Sequence, residues 1–81
     1  MIIQILGTGC GRCRTLYEVA NKAVQETGVD GKVEKVEDIE KIMAYKILMT
    51  PGLAINGQVK AAGRIPSLEE MKRIILAAKA A

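Results

Sequence analysis

Apolar residues change rhythm along the chain, and each rhythm predicts a different element. Met1-Ile2-Ile3-Gln4-Ile5-Leu6 is a nearly continuous apolar run closed by Gly7 and Gly9, the pattern of a strand buried on both faces of a sheet. A helical spacing follows. Cys13, Leu16, Tyr17, Ala20, Ala23, Val24 and Thr27 fall on one face, with Arg14, Glu18, Lys22, Gln25 and Glu26 on the wet side. Gly28 stands where a left-handed C-terminal cap belongs, and the helix is predicted to start at or near Cys10.

Residues 32–37 (KVEKVE) read as a second strand whose charge suits an edge position. Asp38 can cap a short helix carrying Ile39, Ile42, Met43 and Ile47 along one side, and Pro51-Gly52 breaks that pattern. The runs 53–55 and 59–62 flank Asn56-Gly57, a dipeptide typical of tight hairpin turns. Pro66-Ser67 opens a last helix, with Ser67 and Glu70 spaced as a capping box and Leu68, Met71, Ile74, Ile75 and Ala78 as its stripe. The predicted order is βαβαββα: an α/β fold with a four-stranded mixed sheet and three helices covering both its faces. Residues 1–81 read as one domain, with the first strand and 53–55 central because they are least polar.

Composition narrows the possible uses. At 81 residues with 49% apolar content, the chain buries a little over ~60% of its unfolded surface and can build a core without staples. Twelve basic residues are scattered among nine acids for a net charge of +3, so no basic patch is formed. Two tyrosines are the only aromatics, and stacking platforms for single-stranded nucleic acid are missing. The N-terminal apolar run is too short to span a bilayer or serve as a signal. The expectation is a soluble, cytoplasmic monomer that uses neither nucleic acid nor membrane.

The chemistry sits in Gly7-Thr8-Gly9-Cys10-Gly11-Arg12-Cys13-Arg14, which holds both cysteines of the chain. In a reducing compartment two cysteines so close together seldom form a permanent staple; redox chemistry or metal binding is the favoured use. The attacking species is a thiolate, and a helix N-terminus favours it: such positions bring cysteine pKa values to about 3.5–7.5 from about 8.5. Cys10 is therefore the predicted nucleophile. Cys13, one turn further on the apolar face, is the predicted resolving thiol. Gly11 relaxes the backbone of the short loop between them. Arg12 and Arg14 add positive charge, although either also reads as an ordinary solvated residue. A charge from Arg12 would shift the redox poise by only about 10–20 mV, which tunes it without defining it.

The same two thiolates suit a soft metal such as copper(I) or zinc. A metal-carrier reading competes for that reason, since the Thr-Gly-Cys-x-x-Cys loop also resembles heavy-metal-associated domains. Those domains place two strands directly after the first helix and end on a strand; the order predicted here does neither. A structural zinc site needs about four ligands, and the chain has no histidine and no third cysteine. A binding module with two core cysteines is the remaining alternative, but glycines at 7, 9 and 11 open the site instead of packing it.

GTGCGRC after an apolar strand, TPGLAINGQV in the middle and GRIPS before the final helix resemble the small prokaryotic thioredoxin-like proteins called redox-active disulfide protein 2. The resemblance covers essentially the whole chain and implies a glutaredoxin-sized thioredoxin fold. It implies a cis Thr50–Pro51 bond facing the cysteines, with the Thr50 backbone pairing with an extended substrate segment. Without the resemblance, Pro51 reads simply as a helix stop. Gly63-Arg64 would lie in the loop that approaches the cysteines. There Gly63 would admit a substrate backbone, and Arg64 would hold a substrate carboxylate or be a plain surface arginine. Thioredoxins usually carry Trp before the first cysteine and Gly-Pro between the pair; this chain has Gly9 and Gly11-Arg12. The implied activity is thiol–disulfide oxidoreduction with no cofactor beyond the Cys10–Cys13 disulfide itself. Its partners would be protein disulfides and an upstream reductase or low-molecular-weight thiol.

Overall fold

The computed structural model describes residues 1–8, 11–47 and 49–80, and the N-terminal apolar run is its central strand, β1 (Ile2–Leu6). The strand's period of two sorts its side chains. Ile3 and Ile5 point into the larger core, while Leu6 joins a smaller cluster on the opposite face. A strand with apolar groups on both faces needs cover on both, and the helices supply it.

After β1 come α1 (Gly11–Thr27), β2 (Lys32–Val36), α2 (Ile39–Ala44), β3 (Gly52–Ile55), β4 (Gln58–Ala62) and α3 (Leu68–Ala80). Strands run in the order β2-β1-β3-β4. β1 pairs parallel with β2, while the β1–β3 and β3–β4 pairs are antiparallel. The predicted βαβαββα mixed sheet is present among the described residues, with charged β2 at an edge and apolar β1 and β3 inside.

α1 buries Cys13, Leu16, Ala20 and Ala23, one stripe at spacings of three and four. Leu16, Ala20 and Ala23 of that stripe pack with Met71 and Ile75 of α3 over Ile3, Ile5, Leu53 and Ile55. Each large aliphatic side chain so buried contributes about 1.5–3 kcal/mol. Gly28 ends α1 at φ 69°, and its N–H donates to the Val24 carbonyl at 3.1 Å. Lys72 of α3 ties back to Glu26 of α1 at 2.5 Å. On the other face Ile42 of α2 closes over Leu6 and Ala54, with Val36, Tyr45 and Ile47 around them.

The second helix is shorter than its sequence pattern. Asp38 does cap it, its side chain accepting from the Glu40 N–H at 3.0 Å, but the helix ends at Ala44. Lys46 then adopts φ 58°, a left-handed turn that no helix continues through. Only Ile42 of the proposed stripe is buried within the helix; Ile39 and Met43 are exposed, at 60% and 68%. Ile47 reaches the smaller cluster from beyond the helix.

The hairpin turns on Asn56 (φ 51°) and Gly57 (φ 85°), both left-handed as a tight two-residue turn requires. Asn56 also clips the turn to β1. Its Oδ1 accepts from the Ile2 N–H at 3.0 Å, and its N–H donates to the Ile2 carbonyl at 2.9 Å. A register shift between Leu53 and Ala54 sets Leu53 opposite Ala61 and Ala54 opposite Val59, which turns Ala61 into the core. At α3 the capping box is only half made. The Ser67 hydroxyl accepts from the Glu70 N–H at 3.2 Å, but the Glu70 carboxylate turns away to Arg64.

Candidate active site

Cys13 is the third residue of α1 and is buried, 6% exposed. The helical stripe carries it inward, toward the end of β1 where the chain leaves the sheet. Gly7 occupies that end. A Cβ there would lie 2.1 Å from the Cys13 Sγ, 3.3 Å from its Cβ and 4.0 Å from the Pro51 Cα. Only a residue without a side chain lets the sulfur settle there. Three distant stretches, the end of β1, the head of α1 and the segment before β3, thus meet around Gly7.

Gly9, Cys10 and Leu48 lie outside the described residues. The predicted nucleophile and its pairing with Cys13 fall there; the described helix begins at Gly11, next to Cys10 in sequence. Gly11 is exposed, with open space where a Cβ would stand, and its carbonyl accepts from the Thr15 hydroxyl at 3.1 Å.

Thr50–Pro51 is a cis peptide bond, as the resemblance implies. Thr50 is exposed and Pro51 buried. The Pro51 carbonyl accepts from the Gly63 N–H at 2.9 Å, so the loop between β4 and α3 is drawn to the proline. Gly63 has φ 76°, and a Cβ on it would stand 2.9 Å from the Met49 Cβ. Both facts demand glycine. Arg12 reaches the same loop from α1, its Nη2 donating to the Gly63 carbonyl at 3.1 Å.

Arg64 faces α3. Its two terminal nitrogens donate to the two Glu70 oxygens at 3.0 and 2.7 Å. That paired fork holds the Glu70 carboxyl below its usual range and lifts the guanidinium above its own. A substrate carboxylate at Arg64 would have to displace Glu70. Arg14 pairs along the helix with Glu18 at 3.5 Å.

A cleft of about 280 Å³ opens beside Cys13, lined by Ile5, Gly7, Cys13, Arg14, Lys35 and Glu37. The sequence reading missed Lys35 and Glu37. The parallel pairing of Leu6 with Val36 brings the end of β2 beside Gly7, and the run of charges on a predicted edge strand was the available signal. Met49 was missed too. It is 61% exposed, and its side chain packs on Gly63. A wider cleft of about 580 Å³ lies along α2 between Gln4, Glu34, Lys41 and Tyr45 and includes none of the predicted site residues. No helix among the described residues is long and apolar enough to cross a membrane.

Comparison with known proteins gives a consistent result. A family profile described as thioredoxin domain matches residues 1–76. A protein named thioredoxin from Methanothermobacter thermautotrophicus is 43% identical over 75 residues, covering 93% of this chain and 97% of its own length. Another named thioredoxin, from Methanocaldococcus jannaschii, is 42% identical over 72 residues, covering 89% of this chain and 83% of its own. A probable thioredoxin of M. thermautotrophicus is 38% identical over 65 residues, 76% of this chain and 75% of its own length.

Proposed function

The chain belongs to the thioredoxin-domain family, and from that premise we propose that it is a dithiol–disulfide oxidoreductase working through Cys10 and Cys13. Within the family we assign it to the small prokaryotic group called redox-active disulfide protein 2, on GTGCGRC, TPGLAINGQV and GRIPS.

In the proposed cycle the Cys10 thiolate attacks one sulfur of a partner disulfide. A mixed disulfide forms, and the partner's other sulfur leaves with the electron pair and takes up a proton. Cys13 then loses its proton and attacks the Cys10 sulfur. The partner's second sulfur leaves as a thiolate, so the partner has gained two electrons and this protein holds the Cys10–Cys13 disulfide. An upstream reductase or low-molecular-weight thiol returns those electrons. The exposed Thr50 pairs through its backbone with the extended partner segment, the Gly63 loop borders that segment, and Gly11 relaxes the loop between the sulfurs. We place the activity in the cytoplasm, with protein disulfides as substrates and no cofactor beyond the cysteine pair.

The observation that carries this reading is the setting of Cys13: its sulfur is buried against Gly7, with Pro51 close to the same glycine, a setting that shields a resolving sulfur from partners until a mixed disulfide forms one turn away. Two measurements test it. Iodoacetamide labelling against pH should show Cys10 reacting with a midpoint well below about 8.5, the ordinary thiol value, and Cys13 reacting slowly. Cys13→Ser should accumulate mixed disulfides with an insulin substrate, and Cys10→Ser should not. Equal, ordinary reactivity of the two thiols would overturn the reading. Stoichiometric retention of copper(I) or zinc with no insulin reduction would replace it with a metal carrier.

A further inference from the structure

Gly63 is held from several directions at once. Its N–H donates to the Pro51 carbonyl at 2.9 Å, the Met49 side chain packs on its α-carbon, and its carbonyl accepts from Arg12 Nη2 at 3.1 Å. The residue at the centre of these contacts is the one type with the most backbone freedom to lose. Arg12 stands 51 residues away in sequence, in the first turn of α1 and beside Cys13. Its side chain is therefore a strut from the head of α1 to the loop that borders Thr50–Pro51.

We propose that Arg12 is a positioning residue for substrate: by holding the Gly63 carbonyl it fixes the β4–α3 loop in place beside Thr50–Pro51, and it acts on partner binding, not on the thiolate. The inference rests on the dithiol reading above. A neutral carbonyl is the acceptor, reached by one guanidinium N–H, and the bond is charge-assisted. An extended partner segment that pairs with a backbone edge needs a spacing of about 4.7–4.9 Å. A loop free to drift from the head of α1 gives up that spacing, and the pairing weakens with it. Charge tuning predicts a different signature, since its effect would fall on the nucleophile whatever the partner.

Arg12→Met separates the two, because it removes the strut and the charge from an exposed position and leaves the core alone. Insulin-reduction kinetics in the variant should show KM raised roughly two- to tenfold, the worth of one hydrogen bond. Amide exchange at Gly63 should quicken. The midpoint of Cys10 alkylation against pH should stay where the wild type has it, an effect that general loosening of the fold would not leave untouched. An unchanged KM, an unchanged Gly63 exchange rate or an alkylation midpoint moved upward would each overturn the proposal. A wild-type chain that reduces no disulfide would instead sink the parent reading, and that result is visible before any variant is made.

Discussion

Cys13 and Gly7 are in contact so close that a methyl group on the glycine would stand 2.1 Å from the sulfur. The sulfur has one side-chain torsion with which to retreat, and the Cys13 Cβ is itself only 3.3 Å from the same point. Gly7→Ala must therefore push Cys13 into another rotamer or lift the head of α1. Overpacking of this kind costs about 1–3 kcal/mol, readable as a lowered urea midpoint. Resolution should suffer more than attack, so mixed disulfides with insulin should live longer than in the wild type. Normal stability together with normal turnover in Gly7→Ala would show that the contact constrains nothing.

Gly57 and Gly63 have similar left-handed backbones, φ 85° and 76°, but different surroundings. A Cβ at Gly57 meets nothing within 4 Å, whereas one at Gly63 meets the Met49 Cβ at 2.9 Å. Gly57→Ala should thus lose only the conformational preference, about 1–2 kcal/mol. Gly63→Ala should lose more and should also disturb insulin binding. Denaturant titrations of the two single variants, run side by side, check the order; equal losses would mean the loop yields around Met49 freely.

The sheet and two of its helices were legible because their signals are local. Ile2 to Leu6 announces an inner strand by composition, Cys13 to Thr27 announces a helix by spacing, and Asn56-Gly57 announces a turn by backbone chemistry. The capping box at Ser67 and the stripe of the second helix obeyed equally good local rules and were only half realised. Glu70 found a better partner in Arg64, and Lys46 turned left-handed before the stripe could extend. The site was less legible. The cysteine motif marks its place, but the neighbours of Cys13 come from three separate stretches. The bond from Arg12 to Gly63 joins residues that no local pattern relates. Lys35 and Glu37 beside Cys13 follow from strand register, which exists only once the sheet has formed.

The clasp between α1 and α3 carries a pH dependence of definite sign. Hydrogen bonding to Lys72 holds the Glu26 carboxyl below its usual range, and the same bond raises the ammonium of Lys72. A carboxyl depressed in the folded state binds its proton more weakly there than in the unfolded chain. Its stabilising effect is present above the unfolded value near ~4.3 and is lost as pH falls through the lower folded value. The urea midpoint of Glu26→Gln should accordingly lie below that of the wild type at neutral pH, and the gap should close in acid below about pH 4. A gap that stays constant across that window would assign the effect to packing.

The pairing of Arg64 with Glu70 decides whether that arginine can serve a substrate. While both Glu70 oxygens occupy its fork, a partner's carboxylate competes with an intramolecular ligand already in place. Glu70→Gln removes the competing charge, while its backbone N–H can still donate to Ser67 and keep the start of α3. If Arg64 receives substrate carboxylates, KM for a disulfide peptide with flanking acidic residues should fall in Glu70→Gln, by up to about fivefold on the scale of exposed ion pairs. Arg64→Gln should raise it, and a disulfide peptide with neutral flanks should respond to neither change. If the fork serves only to brace the loop against α3, both variants should lower the thermal midpoint alike and leave the acidic and neutral peptides indistinguishable.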